Sequence, residues 1–166
     1  TLAKTDAMKA SYVLTNDLVL NEDETVFQWI PIGNTSDGFQ GTFDGQGHKI
    51  DGIYVNSTED SQGLFGTIAN AATVKNFSLK NSRFFTTGMR IGSIAGSCYG
   101  TVSNVYSNAD VESPRTGTYA RVAGMFGLLG GSGEAKVSSC WFDGTVTAAG
   151  DMVGGIAGQV GASKVT

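Results

Sequence analysis

The sequence predicts an all-β solenoid of stacked parallel coils, and three observations carry that reading. A glycine-bounded phrase occurs four times, as Gly63-Leu64-Phe65-Gly66, Ser93-Ile94-Ala95-Gly96, Gly124-Met125-Phe126-Gly127 and Gly155-Ile156-Ala157-Gly158, with its last glycines 30, 31 and 31 residues apart. A fixed period of that length marks stacked supersecondary units rather than one central core. A second phrase keeps step with the first: Ile50-Asp51-Gly52-Ile53-Tyr54-Val55, Val74-Lys75-Asn76-Phe77-Ser78-Leu79, Val102-Ser103-Asn104-Val105-Tyr106-Ser107 and Val137-Ser138-Ser139-Cys140-Trp141-Phe142 align as apolar, polar, small or Asn, apolar. These short β-branched or aromatic runs between Gly, Asn and Ser read as strands, with no sustained helical period nearby. Finally, 24 glycines stand against 2 prolines, a balance that weakens helices and suits tight corners.

The elements follow in chain order. Residues 1–48 read as an N-terminal cap and first coil, because a terminal repeat has one face without a neighbour and must be atypical. Within them Tyr12-Val13-Leu14-Thr15-Asn16-Asp17-Leu18-Val19-Leu20 reads as a strand pair and Trp29-Ile30-Pro31-Ile32-Gly33 as an apolar corner. Asp44-Gly45 signals a turn around which Phe39, Phe43 and Ile50 point inward. Residues 49–166 then form regular coils of about 30 residues, each with room for three strands of ~5 residues, in one structural domain.

Repeated inward positions should stack into columns along the axis. Leu64, Ile94, Met125 and Ile156 form one, and Phe65, Ala95, Phe126 and Ala157 form the next, where alternating size lets each ring extend over a methyl group. Asn76 and Asn104 share a corner column with Gly52 and Ser139, since Asn tolerates the left-handed region and its amide can bond its equivalents above and below. Lys164-Val165-Thr166 falls where the next strand should begin. The chain therefore reads as a piece of a longer protein, without a C-terminal cap.

Composition excludes several functions. A net charge of −4 with only 11 scattered Lys and Arg argues against a nucleic-acid surface, and no apolar run approaches the ~20 residues of a membrane span. Cys98 and Cys140 occupy different repeat positions and read as buried thiols rather than a disulfide. A single histidine, His48, cannot supply the paired ligands of a zinc peptidase, so no cofactor or metal is expected.

The phrases around Gly63, Gly92, Gly124 and Gly154, with Trp29 to Gly33 and Phe39 to Ile50, resemble the GLUG-repeat family of bacterial surface and secreted proteins. Such repeats also occur in the non-catalytic N-terminal regions of bacterial IgA-specific metallopeptidases. The resemblance runs from about Tyr12 to the end. It implies a right-handed parallel β-helix exported to the cell surface or beyond, and it carries no catalytic residues.

The carboxylates and aromatics are the candidates for chemistry. Asp110 with Glu112, Asp143 near the same repeat position, and Glu59 with Asp60 are the acids a glycan-cleaving β-helix would need, but they read as solvated turn residues. Tyr54, Ser78, Tyr106 and Trp141 align in one column, where the rings form either a stacking platform for a sugar or protein or packing under a loop. The insert between Val111 and Val122 adds Arg115, Tyr119 and Arg121, as a recognition loop or as a spacer. The resulting expectation is a non-catalytic adhesive or spacer module that meets host glycans, glycoproteins or other domains of its own chain. The alternative is an accessory substrate-binding module of a secreted peptidase or glycan-degrading enzyme.

Overall fold

The structure, a computed structural model, describes residues 4–21, 26–131, 134–161 and 163–165. Beyond a helical turn at Lys4–Ala7 the described chain is all β, and every strand pairing is parallel. Each regular coil passes through four walls, one more than the length argument suggests. A long wall carries Ser11–Val13, Thr42–Asp44, Thr73–Lys80, Thr101–Ser107, Ala135–Phe142 and Ser163–Val165, with Leu18–Val19 and Lys49–Asp51 completing it in the early coils. The second wall stacks Tyr54–Ser57, Arg83–Thr86, Asp110–Ser113 and Thr145–Ala148, and the third stacks Arg90–Ile91, Arg121–Ala123 and Met152–Gly154. The fourth stacks Phe65–Ile68, Ala95–Cys98, Phe126–Leu129 and Ala157–Val160. The fold is a parallel β-solenoid.

The predicted columns are present. Ala95 pairs in register with Phe65 below and Phe126 above, and Phe126 pairs with Ala157. Phe65, Ala95 and Phe126 are fully buried with Leu64, Ile94 and Met125, and burying a large apolar side chain stabilises by about 1.5–3 kcal/mol. At the first coils this core ends in an aromatic cluster, with Phe43 edge-on to Phe65 and Phe77 and Phe39 tilted against Phe65 at 5.2 Å. The last strands of the second, third and fourth walls pair on one side only among the described residues. Ile156, Ala157, Phe142 and Val146 are accordingly only partly buried.

Each long strand is bent at a left-handed residue: Asn76, Asn104 and Ser139 have φ of 60°, 55° and 52°. The bend shifts the alternation, so Val102 and Val105, three apart, both face the core. Asn104 Nδ2 donates to Asn76 Oδ1 at 3.0 Å, and Asn76 Nδ2 donates to Asp44 Oδ1 at 3.0 Å. The Gln46 N–H and then the Asn76 amide hold the Asp44 carboxyl below its ordinary value. Since a β-carbon in this region costs about 1–2 kcal/mol and a net hydrogen bond contributes about 1, Asn76→Ala should lose about 2 kcal/mol in urea denaturation. Asn76→Gly should lose about half as much, and equal losses would sink the backbone part of this account.

The register corrects one alignment. Phe43, not Ile50, stands opposite Val74, whereas Ile50 stands opposite Leu79. Four residues, Gly45 to His48, lie between Asp44 and Lys49, opposite only Asn76 and Phe77. Ile53 and Gly52 therefore do not share columns with Phe77 and Asn76. Gly52 (φ 78°) lies at the corner after the long wall, its N–H donating to the Lys80 carbonyl.

The last glycine of the second, third and fourth phrases has a separate packing reason. A β-carbon at Gly96 would come within 2.5 Å of the Gln62 nitrogen, one at Gly127 within 2.7 Å of the Ile91 nitrogen, and one at Gly158 within 2.8 Å of the Val122 nitrogen. In each case the obstruction belongs to the third-wall position of the preceding coil. The third wall thus lies directly against the glycines of the fourth, and all of Phe65–Ile68 and Ala95–Cys98 is buried.

Candidate binding surfaces

The six residues expected to bind fall in three places. Tyr106 and Trp141 are in register on the long wall, one coil apart, with ring centroids at 5.5 Å and a T-shaped arrangement. Trp141 is 57% exposed, so its ring is on the surface rather than in the core, and Tyr106 is half-buried. Lys80 Nζ stands 5.8 Å from the Tyr106 ring centroid, a geometry in which the ring quadrupole attracts the ammonium by about 0.5–1 kcal/mol at an exposed site. The column below them continues through Ser78 to Lys49.

Tyr54 is not in that column. It opens the second wall opposite Arg83, because the extra residues at Gly45 to His48 displace the apparent repeat. Its backbone carbonyl accepts from the Trp29 N–H.

Arg115, Tyr119 and Arg121 lie at the corner between the second and third walls. Seven positions separate Phe84 from Ile91 and Val146 from Val153, but eleven separate Val111 from Val122, so the insert adds four residues at this corner. Tyr119 is 62% exposed, with the Arg121 guanidinium 5.6 Å from its ring centroid. Arg121 Nε donates to Gln159 Oε1 on the fourth wall, and Arg115 Nη1 donates to the Thr87 carbonyl at 3.2 Å. These residues are on different walls from Tyr106 and Trp141.

The acids do not assemble. Asp110 pairs with Thr145 rather than Asp143, and Arg83 stands in register on its other side. Arg83 also bonds Glu112 at 3.3 Å, so the basic residue in register with these acids is already partnered. Asp60 Oδ1 accepts from the Met89 N–H at 2.6 Å. His48 Nδ1 lies 3.1 Å from Asp17 Oδ1, and the Lys49 N–H followed by His48 draws the Asp17 carboxyl below its ordinary value. Among the described residues no group of three or more His, Cys, Asp or Glu could hold a metal ion. Both cysteines are free thiols, and burial pushes Cys98 up to about 12, far from the thiolate that would make it reactive.

Two features are not singled out as sites by the repeat pattern, although the first gathers the Trp29 corner and the Glu59 and Asp60 acids singled out separately above. A cleft of about 890 Å³ opens on the first two coils between Trp29, Ile30, Asn34, Glu59 and Asp60, formed by an irregular first coil with no repeat to align. Arg90 stands in register with Arg121. Its signal is the period itself, since both the two arginines and Gly96 and Gly127 are 31 residues apart.

No protein-family model matches this chain. It is 35% identical over 80 residues to a provisionally named Gly-rich membrane protein of Evansella cellulosilytica, covering 46% of this chain and 9% of that protein. It is 35% identical over 101 residues to halomucin of Haloquadratum walsbyi, covering 58% of this chain and 1% of halomucin. The chain therefore matches only a small part of either relative's length. No helix among the described residues is long and apolar enough to cross a membrane. The crystal structure of a provisionally assigned immunoglobulin A1 protease from Bacteroides ovatus superposes with a TM-score of 0.65 at 22% identity, over 93% of this chain and 57% of that one. That likeness establishes a shared parallel β-solenoid fold.

Proposed function

We propose that this chain is a rigid, non-catalytic module of an exported microbial surface protein that presents a ligand-binding wall. The observation that carries the reading is the Tyr106–Trp141 pair, with the Trp141 ring exposed and Tyr106 half-buried beside it. Two rings held in register on paired strands keep their geometry without a ligand, so little ordering entropy opposes binding. A sugar ring or a partner's side chain fits such a wall, and the rows of hydrogen bonds behind it keep it stiff. We place the repeats in the GLUG-type group on their glycine phrases, with right-handed winding as expected for parallel crossovers. The relatives' names, a membrane protein and a mucin, support a place at the cell surface or outside it.

The test is binding of the chain to mucin glycans, plant polysaccharides and immunoglobulin, beside a Tyr106→Ala/Trp141→Ala variant checked by thermal melt. The expected result is a ligand bound by wild type and lost, by about tenfold or more, in a variant that melts normally. Failure of wild type to bind any of them would leave a spacer role, and a variant that binds equally well would move the binding surface away from Tyr106 and Trp141.

A further inference from the structure

The third wall brings like charges together. Arg90 and Arg121 are register neighbours on adjacent coils, where strands lie about 4.8 Å apart. Both are half-buried, while the next residue of each strand, Ile91 and Val122, faces the core. Adjacent like charges on a sheet destabilise it, and a desolvated, unpaired cation is costly. Yet among the described residues neither arginine, nor Arg115 beside them, has a carboxylate within salt-bridge distance, although acids outnumber bases in the chain. Asp60, in the neighbouring coil, accepts the Met89 N–H through Oδ1 and makes no ion pair with either arginine among the described residues.

Donor capacity is left over as well. Arg90 Nε and Arg115 Nε are buried without a hydrogen-bond partner in the protein. Burial, and then the neighbouring Arg90 charge, make the Arg121 proton easier to lose. Tyr119 flanks Arg121 with an exposed ring, and Gln159 fixes the guanidinium from the fourth wall.

We propose that this arginine column binds the carboxylate or sulfate groups of an acidic polysaccharide, with Arg90 and Arg121 as paired donors and Tyr119 as a stacking face for the sugar. Guanidinium groups match both oxyanions bidentately. Two donors one coil apart on an open wall suit successive charged groups of a polymer better than a single enclosed ion. The site is on a different wall from Tyr106 and Trp141, so either can fail alone.

The experiment is titration of the intact chain at low ionic strength with polygalacturonate (carboxylates only), dextran sulfate (sulfates only) and neutral dextran. Wild type is expected to bind at least one acidic polymer and not neutral dextran, and the polymer that binds identifies the group. Arg90→Gln/Arg121→Gln should weaken binding about tenfold or more, whereas Arg83→Gln, whose partner is Glu112, should leave it unchanged. Should the double arginine variant fail to fold, Arg121→Gln and the exposed-loop variant Tyr119→Ala decide the matter, each expected to weaken binding severalfold. Wild type binding neither acidic polymer, arginine variants binding like wild type, or an equal loss in Arg83→Gln would each overturn the proposal.

Discussion

Gly96→Ala should lower stability by about 3 kcal/mol, the upper part of the usual range for overpacking, and the melting temperature by roughly 6–12 °C for a chain of this size. The added carbon would meet the Gln62 nitrogen at 2.5 Å and lie nearer still to Ser61 Cα. Both belong to backbone, so no rotamer change makes room, and relief requires moving the third wall off the fourth. Gly155→Ala is the matched control, because it changes the first glycine of the same phrase where nothing lies within 4 Å. Its melt should fall within about 2 °C of wild type. Comparable losses from the two changes would mean that glycine's backbone freedom, rather than wall-to-wall contact, explains the phrase.

That contrast also separates what a repeat period reveals from what it conceals. The spacing of the glycine phrases is enough to place Phe65, Ala95, Phe126 and Ala157 in one column, because identical intervals force identical positions in successive coils. The partner across the glycine stays hidden, since a missing β-carbon announces close approach without saying what approaches. The alignment fails where the chain carries extra residues. Ile50-Asp51-Gly52-Ile53 matches the apolar, polar, small, apolar pattern at all four positions, whereas Phe43-Asp44-Gly45 is followed by Gln46 and matches three, and only the ladder from Asp44 to Lys75 shows that the latter is in register.

The candidate sites divide along the same line. The shared column of Tyr106 and Trp141 is legible because the strand phrase around each is intact, although the insert after Val111 lies between them, and the bend at Asn104 and Ser139 turns both rings away from the core. Tyr54 is misassigned through the Gly45 to His48 insertion. Arg90 is easily passed over although its spacing to Arg121 equals the period, because one arginine beside a glycine turn has no distinctive chemistry until its neighbour is known and no ion pair to either is found among the described residues. The cleft at Trp29 and Asn34 arises from the irregular first coil, where periodicity gives no guidance.

The second large effect separates a column's composition from its position. Ala95 sits between Phe65 and Phe126 and is fully buried. Ala95→Phe would place three rings in succession, with no small residue to accept the added volume, and should cost about 3 kcal/mol or roughly 6–12 °C. Ala157 has the same side chain in the same column, but only Phe126 pairs with it among the described residues and it is half-buried. Ala157→Phe should therefore change the melt by no more than about 2 °C, since the new ring can lean over Phe126 toward the open side. If both variants lose equally, the alternation of large and small is not what fills the column, and crowding within each coil rather than between coils limits side-chain size. If only Ala95→Phe loses, the size pattern along the axis sets which coil may follow which, so the order of the repeats is itself part of what the sequence specifies.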